Sequence, residues 1–155
     1  MRILLDTHVF LWSCLEPEKL SEIARGVLED PANELLLSAA SSWEIAIKAA
    51  LKKLELPAPP ARYIPSRLDA MGLTPLPVEH GHALRVAQLP RHHGDPFDRL
   101  LIAQSQLEDA TVATGDPQFL LYDVDVLWAA AGEPPTAVHE RPRRRWGRRK
   151  SAAPR

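Results

Sequence analysis

Arg2-Ile3-Leu4-Leu5-Asp6 is a short apolar run that stops on a carboxylate. A buried parallel strand reads this way, because both its faces are covered and its C-terminal end is where a polar side chain first finds room. The pattern recurs in Leu35-Leu36-Leu37-Ser38, in residues 73–78, in Thr111-Val112-Ala113-Thr114 and in Val124-Asp125-Val126-Leu127. Prolines in the third run place it at a sheet edge, since proline donates nothing to a ladder. Between the runs, residues 19–28 set Leu20, Ile23, Ala24, Val27 and Leu28 on one helical face, and residues 43–51 do the same with Trp43, Ile47 and Ala50. Pro57, Pro59 and Pro60 break the chain before a helix over 63–71, and further helices are expected over 79–88 and 98–107. Strands alternating with helices predict an α/β fold: a parallel sheet of four to five strands, flanked by helices on both faces and joined by right-handed crossovers.

The chain has 155 residues and a formal net charge of −1, but that small total is a cancellation. Residues 141–155 hold eight Lys+Arg and no acid, whereas residues 1–140 hold eleven Lys+Arg against twenty Asp+Glu, giving +8 and −9. Such end-to-end asymmetry favours a polyanionic partner, nucleic acid foremost. A hydrophobic fraction of 45% suffices for one core and excludes collagen-like and fully disordered chains. The single cysteine, Cys14, excludes an intrachain disulfide framework and suits a reducing compartment. No apolar run approaches the roughly 18 residues of a membrane helix, and Asp6 and His8 interrupt the N-terminal stretch where a secretory signal would be continuous. The expected location is the cytoplasm. Residues 1–131 are expected to form one domain, and residues 132–155 a basic, disordered tail with too few large apolar residues to pack.

Position separates functional acids from solvated ones. Asp6 ends the first strand, Glu44 sits at the start of the helix after the second, Asp95 and Asp98 open the helix before the fourth, and Asp116 follows the fourth. In an open parallel sheet those places share one edge, where ligands bind. Clustered carboxylates raise one another's pKa unless a cation neutralises them, and oxygen ligands without cysteine select hard ions, Mg²⁺ or Mn²⁺. Such an ion supports in-line displacement at a phosphodiester. Helix capping competes with this reading: Ser41 and Glu44 fit a capping box with Ser41 at N-cap, Asp95 fits an N-cap with Pro96 at the first helical position, and Asp116 before Pro117 fits a turn. Asp6 has little to cap beyond the turn through Thr7. The histidine pairs His80/His82 and His92/His93 lack the spacing and cysteine partners of a zinc site.

Taken in order and spacing, Ile3-Leu4-Leu5-Asp6-Thr7-His8-Val9-Phe10-Leu11-Trp12, Ser42-Trp43-Glu44-Ile45-Ala46-Ile47-Lys48, His93-Gly94-Asp95-Pro96-Phe97-Asp98-Arg99-Leu100-Leu101-Ile102-Ala103-Gln104 and Thr114-Gly115-Asp116 resemble the PIN domains of VapC-type toxins. The match spans about residues 2–128, within an expected PIN-like nuclease domain of residues 1–131. The resemblance implies a metal-dependent endoribonuclease, the toxin half of a type II toxin–antitoxin pair, acting on transfer or ribosomal RNA. It implies Mg²⁺ or Mn²⁺ held by the catalytic acids Asp6, Glu44, Asp98 and Asp116. Asp95 fits the motif too, as a helix cap orienting Asp98 or Arg99 ahead of direct ligation. Thr7 and Thr114 fit polar supporting positions for a carboxylate or water, and Arg99 could meet a phosphate or a neighbouring acid. Homodimers and a VapB-like antitoxin partner are likewise implied.

The resemblance says nothing of the tail. Arg143, Arg144, Arg145, Arg148 and Arg149 around Trp146 suit an RNA arm, with charges on phosphates and the indole on an unpaired base; a merely solvated extension is the alternative. Two rival functions stand beside the ribonuclease. An aspartyl-phosphate enzyme would want an acid two residues after Asp6, where His8 stands. A catalytically inactive PIN-like module that binds only RNA or antitoxin has no reason to keep repelling carboxylates together.

Overall fold

The first strand, β1 (Arg2–Leu5), is flanked on both sides. It pairs parallel with β2 (Glu34–Ser38), Ile3 opposite Leu35 and Leu5 opposite Leu37, and parallel with β4 (Thr111–Thr114), Ile3 opposite Thr111. Beyond these, β3 (Thr74–Leu76) pairs with β2 and β5 (Val126–Trp128) pairs with β4. The result is a five-stranded, all-parallel sheet of order β3-β2-β1-β4-β5. Pro75 lies on the edge strand β3, as its missing N–H requires. The structure, a computed structural model, describes residues 1–135. Residues 136–155, and with them the expected RNA contacts Arg143, Arg144, Arg145, Trp146, Arg148 and Arg149 of the basic tail, lie outside the described residues.

Alternation along β1 sorts its side chains to the two faces of the sheet. Ile3 and Leu5 join a cluster with Val9, Phe10, Leu35, Leu37, Ile45 and Ala113, while Leu4 faces Leu36, Leu101, Ile102, Val112, Phe119 and Tyr122. The helices are α1 (Thr7–Leu15), α2 (Glu22–Glu29), α3 (Ala39–Ala50), α4 (Pro60–Met71), α5 (His80–Arg85) and α6 (Pro96–Glu108), with short 3₁₀ turns at Pro17–Lys19, Val86–Gln88 and Pro117–Leu121. Gly72, at φ 62°, ends α4 in the left-handed conformation that favours glycine.

Three expectations need correction. Helix α1 was not anticipated: it starts directly after Asp6, which is its N-cap, so Asp6 caps a whole helix and not merely a turn. Helix α3 begins at Ala39 with Ser38 as N-cap, four residues ahead of the expected start, so Ser41 and Glu44 do not form a capping box. That start also sets which face packs: small Ala40 and Ser41, with Glu44 and Ile45, turn inward, whereas Trp43 is 62% exposed and Ile47 36%. Ile23, expected on the inner face of α2, is 75% exposed.

The strand order reverses between β1 and β4: the chain builds outward from β1 to β3 on one side and through β4 and β5 on the other. Crossovers departing in opposite directions open a crevice at the C-terminal ends of these two strands. Gly115, directly after β4, is packed tightly: a Cβ there would lie 2.8 Å from Trp12 Cη2 and 2.9 Å from Ala130 Cβ. Gly115→Ala should therefore cost about 1–3 kcal/mol of overpacking in urea unfolding. Adding Trp12→Phe should recover part of that loss, and equal stability of Gly115→Ala and the parent would contradict the contact.

Candidate active site

Asp6, placed by the end of β1, is 2% exposed. Its Oδ1 accepts from the Val9 N–H at 2.8 Å, and its Oδ2 accepts from the Thr114 hydroxyl. Burial pushes the Asp6 carboxyl up in pKa, against the two bonds that favour its ionised form. The Thr114 Oγ1 also accepts from the Asp116 N–H at 3.0 Å, so one buried hydroxyl ties the acids that follow β1 and β4. Asp116 caps the 3₁₀ turn at Pro117–Leu121 through the Gln118 N–H at 2.9 Å. Thr7 serves differently: its hydroxyl donates to Ser41 Oγ at 3.1 Å, pinning α1 to α3 instead of holding a carboxylate.

Glu44 arrives from the second turn of α3 and is 5% exposed, with Lys48 Nζ at 2.9 Å one turn on. Asp95 is exposed and is the N-cap of α6, its Oδ1 accepting from Phe97 and Asp98 N–H at 2.9 and 3.0 Å. Asp98 lies in the first turn of α6, half-buried, with its Oδ2 3.3 Å from His93 Nε2. Arg99 turns away from the acids. Its guanidinium donates to the carbonyls of Pro90, Val86 and Leu89 and to the Tyr122 hydroxyl, so it staples the segment before α6 in place of pairing with a neighbouring acid.

The other four acids lie within electrostatic reach of Asp98. Burial, followed by the charges of Asp95, Asp116, Asp6 and Glu44, pushes the Asp98 carboxyl up to about 8. Sheet order, helix starts and the Thr114 bridge thus converge all five sequence-selected acids on the switch crevice. No three of the His, Cys, Asp and Glu side chains among the described residues stand close enough as placed to enclose a metal. The donor set is nonetheless oxygen-only and self-repelling, which fits a hard cation. Mg²⁺ keeps several waters and needs only one or two carboxylates, its shell being completed by substrate phosphate.

Aromatic residues neighbour several of the acids along the chain. The Trp43 ring meets Phe97 edge-on at 5.2 Å, and Trp12 packs beneath Gly115. Gln104, though part of the α6 motif, is wholly buried and donates to the Pro77 carbonyl at 3.0 Å, a structural duty. His82 is likewise engaged in the fold, at 3.0 Å from Glu108 Oε1 and accepting from the Glu79 N–H. Two residues that spacing did not single out as site residues are Tyr122 and His93, joined at 2.8 Å. Tyr122 lies in an irregular stretch without periodicity, and His93 carried only its nearness to Asp95 as a signal.

Comparison with known proteins places these features in a family. A family model described as "PIN domain" matches residues 3–125. Ribonuclease VapC22 of Mycobacterium tuberculosis is 34% identical over 104 residues, covering 65% of this chain and 76% of the relative. Ribonuclease VapC16 of the same organism is 50% identical over 58 residues, 37% of this chain, and the aligned part spans only 41% of that relative. Among solved structures, VapBC2 from Rickettsia felis, bound to a promoter DNA fragment, superposes with a TM-score of 0.60 over 83% of this chain and 99% of its own, at 14% identity. FitAcB from Neisseria gonorrhoeae gives 0.54 over 81% and 96%, at 26% identity.

The raised Asp98 carboxyl has a consequence for stability. Its folded-state value, about 8, exceeds the ordinary 3.8, so its stabilising share is present below pH 4 and is lost as pH rises through about 8. Asp98→Asn cannot ionise. In EDTA its melting temperature should exceed the parent's by a margin that widens from about pH 4 to pH 8 and then levels off; a margin independent of pH would contradict the cluster.

Proposed function

Because the chain belongs to the PIN-domain family, we propose that it is a Mg²⁺- or Mn²⁺-dependent endoribonuclease, the toxin of a toxin–antitoxin pair that cleaves transfer or ribosomal RNA. The observation that carries this reading is the crowding of Asp6, Glu44, Asp95 and Asp116 around Asp98 at the crevice between β1 and β4. Ribonuclease is also the name borne by the two Mycobacterium tuberculosis relatives. An ion bound there would activate a water and neutralise charge on the phosphodiester as it is displaced in line.

The chain's own residues prepare that chemistry. The Thr114 hydroxyl and Val9 N–H fix both oxygens of Asp6 and favour its ionised form, opposing the burial that would keep it protonated. Lys48 holds Glu44 by one oxygen, Oε2. Asp95 caps α6 and thereby sets the position of Asp98 in its first turn; it orients that acid, in keeping with a supporting part. Asp116 is fixed relative to Asp6 through Thr114. Acids so restrained cannot swing apart to relieve their repulsion, and that preserves their demand for a cation.

The partner half of the reading rests on structures named VapBC2 and FitAcB and on an apolar stripe along α3. Trp43, Ile47 and Leu51 are 62%, 36% and 60% exposed at intervals of four residues, the spacing of a helix face that takes another helix. We assign this stripe to a VapB-like antitoxin or to a second copy in a homodimer.

Purified full-length protein should cleave RNA with Mg²⁺ or Mn²⁺ and stop in EDTA. Asp6→Asn should lower the rate by more than about 100-fold, beyond what loss of an outer-shell partner costs; cleavage at the parental rate would sink the mechanism. Expression should arrest growth, Asp98→Ala should abolish the arrest, and a small DNA-binding protein encoded next to this chain should relieve it.

A further inference from the structure

Tyr122 is 2% exposed, and its hydroxyl is surrounded by three nitrogens. The His93 backbone N–H donates to it at 3.3 Å, Arg99 Nη1 donates at 3.1 Å, and His93 Nδ1 lies at 2.8 Å. A phenol carries one O–H and two lone pairs. Backbone N–H and guanidinium can only donate, so between them they occupy both lone pairs. The bond to Nδ1 must then use the phenol's own O–H, which requires an unprotonated Nδ1. A neutral imidazole so constrained carries its proton on Nε2, the atom that faces Asp98 Oδ2 at 3.3 Å.

The far end of this chain is anchored as well. Arg99 also donates to the Pro90 carbonyl at 2.8 Å and to Val86 at 3.1 Å, which prevents the guanidinium from turning to Asp98 itself. We propose that Arg99, Tyr122 and His93 form a positioning relay that locks His93 as an Nε2–H donor to one oxygen of Asp98, presenting the other oxygen to the cation. The metal part of this inference rests on the proposed function, whereas the tautomer part stands on hydrogen-bond bookkeeping alone. His93 is thus a positioning residue: it acts through Asp98, as outer-shell partners orient the ligands of metal sites. A loop staple would need the Tyr122 and Arg99 bonds but would be indifferent to which ring nitrogen bears the proton.

The test uses the full chain labelled with ¹⁵N-histidine, without metal at pH 8, together with calorimetric titration of Mn²⁺. His93 in the parent should show a protonated Nε2 and an unprotonated Nδ1, and Tyr122→Phe should give mixed tautomers. His93→Ala should bind Mn²⁺ about 10-fold more weakly, and His93→Gln, whose side-chain amide can donate to Asp98, should recover much of that loss. A protonated Nδ1 in the parent overturns the relay. So does parental Mn²⁺ affinity in a His93→Ala variant that melts like the parent. A parent that binds no Mn²⁺ contradicts the metal reading alone, and the ring-nitrogen spectrum then decides the orientation of His93 by itself.

Discussion

Repulsion among Asp6, Glu44, Asp95, Asp98 and Asp116 is the constraint around which this molecule is arranged. Burial, reinforced by the acids gathered beside it, holds the Asp98 carboxyl near pKa 8, and such an arrangement persists only if each charge is supported locally. The fold supplies that support with helix N-termini, where unpaired N–H groups and the helix dipole favour negative charge. Asp6 caps α1, Asp95 caps α6 with Asp98 in its first turn, and Asp116 caps the 3₁₀ turn at Pro117–Leu121. Glu44, which caps nothing, has Lys48 instead. Capping and clustering, read from sequence as competing explanations, are therefore one device: caps make the cluster tolerable, and the parallel sheet makes the caps converge.

Convergence follows from topology. In a sheet of order β3-β2-β1-β4-β5, the helices that follow β1 and β4 start side by side, and Thr114 lies in the seam between them. Threonine suits that seam: its methyl group belongs with the packed strand, and its hydroxyl accepts from the Asp116 N–H while donating to Asp6. Gly115 follows because the Trp12 indole leaves no room for a Cβ. The tripeptide Thr114-Gly115-Asp116 thus has a physical duty at each position.

What was legible in the sequence divides along the same lines. Short apolar runs ending in polar residues gave β1, β2 and β4 nearly to the residue, since a doubly covered strand has few alternatives. Asp6, Asp95, Asp98 and Asp116 could be placed from their positions at element ends, whereas Glu44 lies in the second turn of α3 and not at its start. Helix α1 was not, because Thr7–Leu15 is apolar nearly all round and offers no periodic face; only the cap on Asp6 announces it. The α3 stripe misled for the opposite reason. Trp43 and Ile47 have helical spacing and large apolar surface, but the helix start at Ala39 turns small Ala40 and Ser41 to the interior and leaves the stripe outside. Large residues marked a surface, and small residues marked the packing. Tyr122, and the partners of Arg99, eluded the reading because closing hydrogen bonds between segments 23 residues apart has no local pattern.

The central claim is that these carboxylates are held against their own repulsion and await a cation. Its most direct test is a ¹³C NMR titration of the Asp98 carboxyl in the full chain, with and without Mg²⁺. Without metal the group should titrate near pH 8, and Mg²⁺ should shift its titration well toward the acid side. An Asp98 that titrates close to the ordinary aspartate value in metal-free protein, and does not respond to Mg²⁺, would contradict the claim.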